Sequence, residues 1–214
     1  MKYGESTFDI LYLVFAITSG IIILKKAKSK RERYMGFAAL ILGCGDAFHL
    51  VPRVLNYFVD ADFTAALGIG KLITSITMTV FYVLLCYFWQ YNYRVKIDRK
   101  TEIRIWGLAV IRCALCLLPQ NGWTANSSDV LWGIIRNVPF VIHGAIVCYM
   151  FYTKREWDDI FEPMWIYILL SFIFYIPVAV GAGALPILGM LMLPKTVCYI
   201  LMIIAFLKSQ KSRA

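Results

Sequence analysis

The stretch Lys25-Lys26-Ala27-Lys28-Ser29-Lys30-Arg31-Glu32-Arg33 packs six cations into nine residues. It lies between two apolar runs, about 8–24 and about 35–54. Each is close to the 20 or so residues that an α-helix needs to cross a bilayer. Five further runs follow at about 64–89, 103–117, 130–152, 161–182 and 187–207. Arg94, Lys96, Arg99, Lys100 and Arg104 fall between the third and fourth runs, and Lys154 and Arg155 between the fifth and sixth. Lys208, Lys211 and Arg213 follow the seventh. Sixteen of the 22 Lys and Arg thus collect on one side. The other side has Lys2, and its loops carry Asp60, Asp62 and Asp129. Loops rich in Lys and Arg stay in the cytoplasm. The pattern predicts an all-α fold, a single transmembrane domain over 1–214. Its seven spans run with the N-terminus outside and the C-terminus in the cytoplasm.

The composition agrees. Hydrophobic residues make up 60% of the chain, and the mean hydropathy is +0.68, far above an ordinary soluble domain. The formal charge of +9 then reads as a topology signal and as affinity for anionic lipid headgroups, not for nucleic acid. Only helices or closed barrels satisfy the backbone in lipid, and these runs are too long and too uniformly apolar for barrel strands. Trp89, Trp106, Trp157 and Trp165 are expected near one interface, Trp123 and Trp132 near the other. The first run is read as a retained helix, because its N-terminal region carries Glu5 and Asp9 and the lysines follow it, the reverse of a cleaved signal. All six cysteines lie within runs, so no disulfide framework is expected. Cys113 and Cys116 read as buried small hydrophobes. Pro194, beside Lys195, is expected to free a backbone carbonyl in the preceding turn.

Eight ionisable residues interrupt the runs: Asp46, His49, Arg53, Lys71, Arg112, Arg136, His143 and Lys195. A charge at mid-membrane costs several kcal/mol and marks a functional interior by default. Five of the eight are permanent cations, against Asp46 as the one carboxylate counted within the spans. Such a cavity is completed by an anion such as a ligand phosphate or carboxylate. Asp46, His49 and Arg53 stand at i, i+3 and i+7, on one helix face. Asp46 can accept from His49 or act as a general acid/base. The structural alternatives are a polar seam between helices, an Asp46–Arg112 ion pair, and Arg53 as an interfacial anchor. A zinc site would need more ligands than these two histidines and one carboxylate, so neither metal nor other cofactor is expected.

The stretch Leu42-Gly43-Cys44-Gly45-Asp46-Ala47-Phe48-His49-Leu50-Val51-Pro52-Arg53 resembles the second-helix region of the YhhN family of bacterial membrane proteins, with its Gly-Asp pair, apolar residues and Pro. Chain length, short loops and the approach from Phe63 to Gly68 are also similar. That family includes lysoplasmalogenases, which hydrolyse the vinyl ether bond of lysoplasmalogens. The resemblance implies a multi-pass protein of a bacterial-type plasma membrane. Where the family shows a His on the following helix and a second Asp late in the chain, this chain has Thr74 or Ser75, and its last two runs hold no mid-span carboxylate.

Three functions are expected to compete. The first is a membrane-embedded hydrolase of an anionic lysophospholipid, with Asp46 and His49 catalytic and Arg53, Lys71, Arg136, His143 and Lys195 binding substrate. The second is a sensor or carrier of a small anion or lipid, without chemistry. The third is a retinal-binding photoreceptor with Lys195 as the Schiff base. Membrane lipids and an anionic amphiphile are the expected partners.

Overall fold

A computed structural model of the chain describes residues 2–125, 130–181 and 185–212. Asp129, Ala182, Gly183, Ala184 and Arg213 lie outside them, and with them most of the tight turn expected between the last two runs. The described residues form seven α-helices: α1 Lys2–Lys26, α2 Lys30–Phe58, α3 Thr64–Tyr93, α4 Arg99–Leu117, α5 Val130–Thr153, α6 Met164–Gly181 and α7 Met192–Lys211. Short 3-10 turns cover Pro119–Asn121, Trp123–Ala125, Arg155–Trp157 and Pro186–Leu191. Six helical segments are long and apolar enough to cross a membrane: α1, α2, α3, α5, α6 and, with its preceding turn, α7. The chain is therefore a multi-pass helical membrane protein. The expected fourth run folds as α4, but its charge keeps it outside that set.

Local chemistry sets the helix limits beyond the apolar runs. Ser29 caps α2 with a capping box: its hydroxyl accepts from the Glu32 N–H at 3.2 Å, and the Glu32 carboxylate accepts from the Ser29 N–H at 3.2 Å. Two otherwise unpaired donors are satisfied this way, so α2 begins inside the basic loop. Asp98 caps α4 by accepting from the Thr101 N–H at 3.0 Å. The Thr101 hydroxyl and N–H hold this exposed carboxyl below the usual carboxylate range. Pro52, Pro139 and Pro177 lie within α2, α5 and α6. Pro194 instead falls in the first turn of α7. An N–H has no intrahelical partner there, so Pro194 starts a helix and does not break one. That corrects the expected freeing of a carbonyl in a preceding turn of the same helix.

The helices close into a ring. Each packs on its chain neighbours, α7 returns to α1, and α3 also reaches α5 and the 123–125 turn. The centre is aromatic: Phe81, Tyr82, Phe88, Phe140, Phe151, Phe161 and Phe206 are at most 2% exposed. α2 and α3 approach closely at Gly70, whose α-carbon faces the Phe48 carbonyl with no room for a Cβ. Small residues allow helices in lipid to approach this closely.

α4 has two faces. Ile105, Ala109, Arg112 and Cys116 face inward, while Ile103, Trp106, Val110 and Leu117 are exposed. Both sets recur at helical spacing, so this helix buries one charge, Arg112, and carries an apolar stripe outward, while Arg99, Lys100, Glu102 and Arg104 near its start are exposed. Two tryptophans are tied into the bundle. Trp89 is 6% exposed and donates to the Met150 carbonyl at 2.7 Å, and Trp123 turns toward the bundle interior.

Candidate functional site

The end of the bundle away from the basic loops is hollow. A cavity of about 630 Å³ opens among the C-terminal halves of α2, α4 and α6 and the N-terminal halves of α3, α5 and α7. Its lining includes Arg53, Lys71, Arg112, Arg136 and Lys195, so all five cations counted within the runs reach it. No carboxylate among the described residues lines it. His49, Thr74, Ser75, Asn137 and Tyr175 supply uncharged polar groups to the wall.

Each cation is held differently. Arg136 donates from Nη1 to Asn121 Oδ1 at 2.7 Å, with its guanidinium 4.4 Å from the Trp123 ring centre. Asn121 is fully buried and donates to the carbonyls of Leu115 and Leu118 at 2.8 Å each, so the 119–125 segment forms a rigid rim. The Trp123 carbonyl lies against Gly68, where a Cβ would collide with it. Lys195 is 6% exposed, its Nζ lying 4.7 Å from the Tyr175 ring centre and 5.3 Å from that of Tyr199. Such contacts offset part of the cost of burying an ammonium. The Tyr175 hydroxyl donates to Asn137 Oδ1 at 2.7 Å, fixing one ring of the pair.

Arg112 is the most deeply buried, at 2% exposure, with its guanidinium 3.3 Å from the Phe140 ring centre. Its Nε and Nη1 have no hydrogen-bond partner. No ion pair joins it to Asp46, so the expected Asp46–Arg112 bridge is replaced by a face-on aromatic contact. Arg53 is paired with Glu5 of α1. Lys71 is exposed, at the cavity mouth. His143 does not line the cavity. It is 1% exposed beside Tyr82, with both ring nitrogens unpartnered.

A second compartment of about 50 Å³ adjoins the first. His49, Arg53, Thr74, Gly189, Met192 and Lys195 line both. This smaller space holds the carboxylates: Glu5 and Asp9 from α1 and Asp46 from α2. Asp46 accepts from the Tyr12 hydroxyl at 2.6 Å. No hydrogen bond joins it to His49, whose Nδ1 is buried without a partner, so the expected Asp46–His49 pair is not formed. Asp9 is 5% exposed, and its Oδ2 also has no partner. Among the described residues no ion pair within 4 Å reaches Lys195. The described residues contain no cluster of His, Cys, Asp and Glu able to hold a metal ion, and all six cysteines are free.

Sequence reasoning brought the five cations and His49 to one place, with Asp46 next door. It missed Glu5, Asp9 and Tyr12. These stand at i, i+4 and i+7, the spacing of one helix face, and that signal was readable in the chain. Asn121 and Trp123 gave no such signal, because they sit in an aperiodic connection.

Compared with known proteins, the chain matches no family model, no curated protein and no solved structure. The class stands on the helices themselves, as a multi-pass membrane protein.

Proposed function

We propose that this protein binds the anionic headgroup of a single-chain amphiphile, such as a lysophospholipid, in the 630 Å³ cavity. One observation carries the proposal: five cations line that space without a carboxylate. Arg112, Arg136 and Lys195 have no ion pair among the described residues; buried cations lacking counter-charge are costly, and a phosphate oxygen accepts from guanidinium and ammonium donors alike. In this proposal all seven helices cross the membrane, with the N-terminus outside and the C-terminus in the cytoplasm of a bacterial-type plasma membrane. The outward apolar stripe of α4 supports its crossing, and the sixteen cations at one end support the orientation. The cavity then opens toward the outer leaflet, where a lipid enters sideways. Single cysteines in a cysteine-free background test the topology: an impermeant reagent should reach position 62 in intact cells and spare positions 28 and 96.

Purified protein should bind lysophosphatidylglycerol more tightly than uncharged monoacylglycerol. Lys195→Met and Arg136→Gln should remove that preference. Equal binding of both amphiphiles by the unaltered protein would sink the proposal.

The catalytic alternative has its own support, the Asp46 carboxyl fixed by Tyr12 beside the cation-lined space. This is the chemistry implied by the likeness to the YhhN family. Asp46 in its acid form would protonate the vinyl ether carbon, water would add to the resulting oxocarbenium, and collapse would release an aldehyde and the glycerol hydroxyl. Asp46→Asn should then abolish turnover of a lysoplasmalogen while leaving its binding intact. Turnover equal to the unaltered protein's would exclude Asp46 as the acid.

A further inference from the structure

We infer that the small acidic compartment takes up a proton when the large cavity takes up its anion, so that the two binding events are coupled. This rests on the anion-binding function proposed above. The compartments share a wall, and the charged members of that wall, Arg53 and Lys195, serve both sides. On the acidic side they are the nearest counter-charges for Glu5, Asp9 and Asp46. Glu5 is ion-paired with Arg53, and Asp46 is held by Tyr12. Asp9 is the odd one out: it is 5% exposed, lines the compartment, and has an oxygen with no partner.

Three carboxylates face two cations there. On the anion side, Lys195 is restrained by aromatic rings and not by an ion pair, so its ammonium is available to a phosphate. An anion that draws Lys195 or Arg53 toward itself leaves the carboxylates with less compensation in a space of low polarity. A proton from bulk water then neutralises one of them, most directly at the unpartnered oxygen of Asp9. The bond formed is a carboxyl O–H, and no other reactant is required.

The groups facing this compartment can be named element by element. α1 presents Glu5, Asp9 and Tyr12; α2 presents Asp46, His49 and Arg53; α3 presents Thr74, with Lys71 in the adjoining cavity; α7 presents Lys195 and Tyr199. Of these, His49 is the one other group that ordinarily titrates near neutrality, so it must be separated by experiment. A small metal cation is the competing occupant. The described residues offer no ligand cluster for one, and two permanent cations already face the space, so a proton is favoured.

The probe is lysophosphatidylglycerol, whose phosphodiester has no second ionisation to titrate. Its binding to the purified full chain is measured calorimetrically between about pH 5 and 8, spanning the range where histidine titrates. Each pH uses two buffers of different ionisation heat, which counts protons directly. Affinity should rise as pH falls, by up to about tenfold per pH unit, the limit for one proton. Proton uptake should be shared by the unaltered protein and His49→Gln, and lost in Asp9→Asn. The two-buffer count on the unaltered protein needs no variant: binding without proton uptake overturns the coupling and leaves the anion site standing. Uptake lost in His49→Gln but kept in Asp9→Asn also overturns it. So does affinity that follows sodium concentration at fixed pH. Absence of binding at every pH removes the anion site and the coupling together.

Discussion

Two arginines, one at each end of the bundle, show how differently the same fold treats a buried charge. Arg31, at the basic-loop end, is 6% exposed. Its Nε donates to Asn92 Oδ1 at 2.6 Å, its Nη2 donates to the Ser209 hydroxyl, and its guanidinium faces the Phe88–Phe161 ring pair, 5.8 and 5.6 Å from the two ring centres. It ties α2 to α3 and to the last turn of α7, where Gln210 also donates to the Ile23 carbonyl at 3.0 Å. Arg112, at the other end, is buried just as deeply but leaves two nitrogens unpartnered beside a large cavity. One arginine is consumed in holding helices together. The other keeps two nitrogens open, as the proposed anion site requires, and that contrast separates the two arginines better than depth of burial does.

The largest expected effect lies at the closed end. Arg31→Met should lower stability by on the order of 3 kcal/mol, because it strands Asn92 and Ser209. A denaturant titration in detergent checks this, and a loss no greater than that at Arg112 would erase the contrast. Next is Gly70→Val, which forces α2 from α3 and should cost about 2 kcal/mol. Melting of the variant measures it.

Lys195→Met should leave melting almost unchanged and weaken binding of the lysophosphatidylglycerol probe about tenfold, or about 1.4 kcal/mol. Arg112→Leu should be neutral or stabilising by about 1 kcal/mol, because an apolar side chain suits a site where the charge is not compensated. The probe should still bind it less tightly. A strong fall in its melting temperature would make Arg112 structural after all.

The smallest effect is at Asp98, the α4 cap. Its carboxyl sits below the usual range, so its contribution is complete above the unfolded value of about 3.9 and fades as pH falls through the lower folded value. Asp98→Ala should melt slightly below the unaltered protein at neutral pH and together with it in strong acid.

The helices were legible because apolar length and loop charge are local signals, and the structure extends each of the first three runs by a turn or more. Pro194 was misread because its place in the first turn of α7 depends on the 186–191 turn before it, which apolarity cannot distinguish from helix. The five cations were legible as a group, since each breaks an apolar run. The carboxylates were not. Glu5 and Asp9 lay at the edge of the first run and were read as signs that it is not a signal peptide, although α1 begins at Lys2 and carries both into the bundle. Asp46 was expected to meet His49 or a cation on a neighbouring helix. Its partner, Tyr12, comes from the helix whose start had been placed too late.

The charges carried by α4 have a consequence for biogenesis. A helix with Arg99, Lys100, Glu102 and Arg104 in its first two turns and Arg112 near its far end partitions poorly into lipid as an isolated segment. Arg112 is covered by Phe140 of the next helix. In the seven-span arrangement, α4 therefore waits at the translocon until α5 emerges, and the two enter the bilayer as a hairpin. A nascent chain truncated before Phe140 should leave α4 accessible to carbonate extraction, and extending it through Thr153 should lock it in.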